Sequence, residues 1–93
     1  VSPEIKVFCS DKIKFLTIDN ISKNVFKRYN SNEVITLDGL RVKNNHGWWL
    51  IRASNTEEAL ILRFEGKSEK DKIKLFLEVK KLLKDEGLTL DNY

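Results

Sequence analysis

Residues 51–63 read IRASNTEEALILR, which sets Arg52, Ser54, Asn55 and Thr56 close together and a second arginine, Arg63, further along. Arginine offers a planar, two-pronged donor that matches two oxygens of a phosphate. Ser54, Asn55 and Thr56 add short hydroxyl and amide side chains, and Asn and Ser tolerate turns in which successive backbone N–H groups converge. Guanidinium, hydroxyl and converging amide donors are what a phosphate dianion requires. A plainer reading uses the same residues: a polar hairpin loop can satisfy its own backbone through Ser, Asn and Thr, with Arg52 in a surface ion pair. The stretch is nonetheless longer than a tight glycine-asparagine turn would be.

Other chemistries are poorly served. Glu57 and Glu58 are neighbours in sequence, so on a strand or loop they diverge and do not make a two-carboxylate site. His46, in NNHG, reads as a turn residue with no partner base or nucleophile nearby in the pattern. Ser54 lacks an activating base. Cys9 is the sole cysteine, which rules out a disulfide framework and suits a small buried apolar residue. No His, Cys and Asp set has metal-ligand spacing, so no metal site is expected in the chain.

The elements that would hold the arginines can be read from periodicity. Ile5, Val7 and Cys9 alternate as a strand, and Ser10 or Asp11 can cap a helix. Ile18, Ile21, Val25 and Tyr29 give that helix an apolar stripe, widened by Leu16 and Phe26, and it ends near YNSN. VITL and LRVK flank Asp38-Gly39, a dipeptide suited to a two-residue type I′ hairpin, and NNHG marks another turn. WWLIRA and ALILRFE are two further strands joined by SNTEE. A last helix starts at Ser68 with Asp71 three residues on, a capping-box spacing. Ile73, Phe76, Leu77 and Leu83 form its stripe, reinforced by Leu75, Val79 and Leu82, and Gly87 stops it. The order strand, helix, four strands, helix predicts an α+β two-layer sandwich: an antiparallel sheet of four to five strands with both helices on one face.

Alternation then places the arginines. If Leu60, Leu62 and Phe64 face the helices, Ile61 and Arg63 face away, and directly opposite residues share a face. Pairing Ile51 with Leu60 or Leu62 buries Trp49 and Ile51, and puts Trp48, Leu50 and Arg52 beside Arg63 on the open face. A tryptophan and two aliphatics on such a face invite a ligand, another domain or a second copy.

Ninety-three residues, 41% apolar and 33% charged, suit one small folded domain over residues 1–93 rather than a disordered chain. The net charge of +3 permits attraction to anionic partners, but acidic residues are interspersed with basic ones, so no nucleic-acid footprint stands out. No apolar run approaches the roughly 20 residues that cross a bilayer, and no signal peptide is present, so no membrane partner is expected. A start at Val1 suggests an excised piece of a longer chain, and the lone cysteine fits the cytoplasm.

DGLRV, HGWWLIRASNTE and LILRFEGKSEKD, with the preceding SDKIKF helix, resemble the C-terminal domain of the α-D-phosphohexomutases, the family of phosphomannomutase and phosphoglucomutase. The resemblance runs from about Ile5 to Leu83. It implies a TATA-box-binding-protein-like fold and a part in moving a phosphoryl group between the 1- and 6-positions of a hexose phosphate. In that scheme a phosphoserine donates the group, a bisphosphorylated intermediate forms, and Mg²⁺ held by aspartates of other domains supports the transfer. The domain resembled here grips the substrate phosphate, with Arg52, Ser54, Asn55 and Thr56 as binding residues and Arg63 as the supporting arginine. It would not be catalytic alone. Its partners would be a mannose or glucose phosphate and the other domains of the same enzyme. One departure is Glu58, where the family often has proline; it adds an anion near the site, and its side chain is expected to face solvent. A single-stranded nucleic-acid or protein-interaction module using the open sheet face is the alternative, with Trp48 as a stacking platform.

Overall fold

A computed structural model describes residues 4–30, 33–37 and 39–90. Seven elements follow in order: β1 (Glu4–Phe8), α1 (Asp11–Arg28), β2 (Val34–Ile35), β3 (Leu40–Asn44), β4 (Gly47–Ala53), β5 (Ala59–Gly66) and α2 (Glu69–Asp85). The strands form one antiparallel sheet in the order β1-β5-β4-β3-β2. Both helices pack on β4 and β5 and touch each other. The expected two-layer sandwich is therefore present, with five strands.

Both helix starts are capped as their sequences suggest. The Ser10 hydroxyl accepts from the Ile13 N–H, and Ser68 accepts from the Asp71 N–H. Asp71 sends its carboxylate to His46 in the β3–β4 turn, 2.8 Å away. The end of α2 is a Schellman turn: Gly87 takes φ +81°, its N–H bonds to the Lys84 carbonyl, and the Leu88 N–H bonds to the Leu83 carbonyl.

The buried stripes differ from the expected ones in part. On α1 the inward residues are Lys14, Thr17, Ile21 and Val25, while Leu16 and Phe26 face outward, Leu16 with 52% of its surface exposed. On α2 Leu75, Val79, Leu82 and Leu83 are buried and Phe76 partly so, whereas Ile73 and Leu77 face solvent. Each helix carries apolar residues around more of its circumference than the sheet can cover. Hydrophobicity alone therefore could not pick the face. The core joins these residues to Leu40, Val42, Trp49, Ile51, Leu60, Leu62 and Phe64 of the sheet.

The β2–β3 connection also departs from expectation. A two-residue turn at Asp38-Gly39 would set Ile35 opposite Val42, but Ile35 pairs with Arg41 and Val34 with Val42. The observed register keeps the two buried valines side by side on the core face, which a slip of one residue would undo. Asp38 lies outside the described residues. Gly39 has φ +92°, and a Cβ there would sit 2.6 Å from both the Arg52 Cβ and the Ile51 carbonyl oxygen. The glycine is required by its backbone and by the closeness of β4.

Candidate functional site

The β4–β5 register sets the site. Ile51 pairs with Leu62, Arg52 with Ile61 and Leu50 with Arg63. Trp49 and Ile51 are fully buried, so Trp48, Leu50 and Arg52 occupy the open face together with Arg63, as alternation predicts. Beyond Ala53 the chain leaves the sheet, and residues 54–58 form the loop that returns to Ala59.

That loop is fixed by four sets of hydrogen bonds. The Ser54 N–H bonds to the Ala59 carbonyl across its base. The Ser54 hydroxyl oxygen accepts from the N–H groups of Thr56 and Glu57, at 3.3 and 3.1 Å. From below, Lys14 of α1 reaches up with its ammonium, donating to the carbonyls of Ser54 (2.8 Å) and Glu57 (3.0 Å). Lys14 is only 4% exposed, and Asp11 one turn earlier balances its charge at 2.7 Å. The Cys9 N–H bonds to the Glu58 carbonyl, tying the loop to the end of β1 as well.

The plainer reading of the sequence is thus correct for the Ser54 oxygen, which serves the loop's own backbone. It does not exhaust the hydroxyl. A hydroxyl has two acceptor lone pairs and one proton. With both lone pairs engaged by N–H groups, what Ser54 has left to offer is its proton, as a donor. Arg52, for its part, has no ion pair or hydrogen bond among the described residues.

A cavity of about 280 Å³ opens between this loop and the sheet. Arg52, Ser54, Asn55 and Thr56 all line it, so four of the five residues singled out in the sequence converge. Arg63 does not line it. It lies one cross-strand row further from the loop, opposite Leu50 and Glu4, and its Nε is buried with no hydrogen-bond partner among the described residues. Glu58 faces solvent and stays out of the cavity, as expected. The carboxylate that does line it is Glu57, together with Lys6 and Glu4 of β1, and Ile61 is the apolar contribution from β5.

Lys14, Lys6 and Glu57 are the participants that sequence reading missed. Lys14 had a signal: it precedes Thr17, Ile21 and Val25 at helical spacing, so it sits on the inward stripe and needs a buried partner. Lys6 had one too, since it alternates with Ile5 and Val7 and so belongs on the open face with Arg52.

The remaining candidates fall to structural roles. The His46 Nδ1 pairs with Asp71, whose carboxyl is held below the ordinary carboxylate range chiefly by that hydrogen bond. Burial pushes the Cys9 thiol pKa up, which disfavours a thiolate nucleophile. Among the described residues, no group of His, Cys, Asp and Glu could hold a metal ion. The Mg²⁺ implied by the resemblance therefore finds no ligand set among them. The Arg41 guanidinium lies 5.0 Å over the Trp48 ring, so the proposed stacking platform is already occupied on one side. No helix among the described residues is long and apolar enough to cross a membrane.

Residues 4–85 match the family model described as phosphoglucomutase/phosphomannomutase, C-terminal domain. The chain belongs to this family. Among its relatives, a phosphomannomutase/phosphoglucomutase of Pseudomonas aeruginosa is 37% identical over 70 residues, which is 75% of this chain and 15% of that protein. A phosphoglucosamine mutase of Methanococcus maripaludis is 42% identical over 64 residues, covering 69% of this chain and 14% of that protein. A solved phosphoglucomutase/phosphomannomutase family protein from Burkholderia thailandensis superposes with a TM-score of 0.76 at 30% identity. The match covers 97% of this chain and 19% of the other. The family domain described here thus spans about a sixth of the length of these mutases.

Proposed function

We propose that this domain grips the phosphate of a hexose phosphate within a cytoplasmic phosphohexomutase whose remaining domains carry the chemistry. The observation that carries the reading is the cavity at the loop end of the sheet, where Arg52, Ser54, Asn55 and Thr56 meet over Ile61. Arg52 would place its two-pronged donor on two phosphate oxygens. The Ser54 proton, and the exposed side chains of Asn55 and Thr56, would serve the remaining oxygen positions. Arg63, one row behind, would add positive charge without direct contact. The relatives are named as a phosphomannomutase/phosphoglucomutase and a phosphoglucosamine mutase, and those names support a mannose, glucose or glucosamine phosphate as the ligand. In the full enzyme, phosphoryl transfer between the 1- and 6-positions would draw on a phosphoserine and a Mg²⁺ site held by other domains.

Hexose 6-phosphate should shift the amide resonances of residues 52–56 in the 93-residue chain, with a weak affinity because a one-sided grip leaves most of the ligand in water. Arg52→Ala should abolish those shifts. In a full-length mutase the same substitution should lower kcat/KM by the equivalent of about 1.5–3 kcal/mol, the range of a hydrogen bond to a charged group. Wild-type kinetics in that variant would exclude the assignment.

A further inference from the structure

The sheet register puts Lys6 and Arg52 in a single cross-strand row: Lys6 is opposite Ile61, and Ile61 is opposite Arg52. Neighbouring strands lie about 4.8 Å apart, so the two backbones stand about 10 Å apart. Two long cationic side chains can close over that span. Ile61, 4% exposed, forms the floor between them, and the loop carrying Ser54 to Glu57 forms the rim.

The Lys6 ammonium is held by Glu57, at 2.6 Å from Oε1. An isolated pair of this kind on a surface would carry little weight. This one is positioned by the loop. The Glu57 N–H is held by Ser54 and its carbonyl by Lys14, so the loop that brings Ser54 to the cavity also delivers the Glu57 carboxylate to Lys6. Two cations and two carboxylates, Glu4 and Glu57, then leave the lining neutral. A phosphate dianion beside Arg52 would be repelled by Glu57 for as long as that carboxylate occupies the cavity. The Glu57 side chain is 40% exposed, so it can turn to water without moving the loop.

We propose that Lys6 is a second phosphate-binding cation, and that the Glu57 carboxylate holds its place until a phosphate monoester displaces it. The inference rests on the phosphate-binding reading of the loop and adds a residue from β1 to it. Lysine suits the role, because an ammonium on a flexible four-carbon stem can exchange one oxyanion partner for another. The Glu57 hydrogen bond also raises the Lys6 pKa above the ordinary lysine value.

The test is an amide-shift titration of the 93-residue chain with inorganic phosphate and, separately, a hexose 6-phosphate, read at residues 52–57. Lys6→Gln should weaken both ligands about two- to fivefold, the scale of an exposed charge pair. Lys43→Gln, which removes an equal charge elsewhere on the open face, should leave them unchanged. Glu57→Gln should tighten both. If Lys6→Gln binds like the wild type, or loses no more than Lys43→Gln, Lys6 is not a ligand. If Glu57→Gln binds no better than the wild type, the placeholder role is wrong. If the wild-type loop does not respond and Arg52→Ala changes nothing, the phosphate reading itself fails and takes the role of Lys6 with it.

Discussion

Lys14 shows how one side chain can couple a helix to the loop over residues 54–58. A buried ammonium needs partners, and here it has two loop carbonyls and the Asp11 carboxylate. Lys14→Met keeps the volume and helix propensity but leaves the carbonyls of Ser54 and Glu57 without their donor. The expected loss is about 1–3 kcal/mol, read as a lower denaturant midpoint with faster amide exchange confined to residues 54–59. Unchanged exchange there would remove Lys14 from the role of loop support. Asp71 makes a second residue-scale prediction. Its folded pKa lies below the unfolded value, so its contribution is present above the unfolded pKa and is lost as pH falls through the folded one. Between about pH 5 and 2, Asp71→Asn should therefore flatten part of the acid dependence of stability. An acid slope identical to that of the wild type would show that the His46 contact adds nothing.

At the scale of elements, the β2–β3 connection and β4 meet at Gly39. Because a Cβ there would press on Arg52 and on the Ile51 carbonyl, Gly39→Ala combines a left-handed backbone with a clash against β4. The cost should be on the order of 1–3 kcal/mol, seen as a drop in thermal midpoint. Phosphate binding should fall in the refolded fraction as well, because the displaced strand carries Arg52. The same region marks a limit of sequence reading. The DG dipeptide correctly announced a turn containing a positive-φ glycine, but the register was decided by the contact of Val34 with Val42, which involves the buried face rather than the turn. The faces of the β4–β5 hairpin were legible, since Trp49, Ile51, Leu62 and Phe64 leave one alternation consistent with a core, but whether Ile51 pairs with Leu60 or with Leu62 was left open until the fold set it opposite Leu62. The helix faces were less so. Leu16, Phe26, Ile73 and Leu77 are as apolar as the residues that are buried, and only packing separates them.

Across the whole molecule, all five strands and both helices contribute to one hydrophobic cluster, or pack against it. The folded chain should accordingly unfold in one step. Leu62→Ala, at the centre of that cluster, should cost about 2–5 kcal/mol, and far-ultraviolet dichroism and tryptophan fluorescence should report the same midpoint. Separate midpoints would mean that the two layers are stabilised independently. The site was legible to the extent that it lies on one hairpin: Arg52, Ser54, Asn55 and Thr56 fall within five consecutive residues, and alternation gave the face of Arg52. Lys6 and Lys14 come from β1 and α1, more than thirty-five residues earlier in the chain, and only the tertiary fold brings them to the loop.

The double acceptance at the Ser54 oxygen and the Lys14 strut from α1 hold the loop's shape before any ligand arrives. Capture of an anion would then need no folding of residues 54–58, only the turning of side chains. Association should be limited by diffusion and ionic strength rather than by a conformational step, and the backbone of the loop should be as stiff without phosphate as with it. The domain would act as a rigid socket, leaving any closing motion of the enzyme to whole domains.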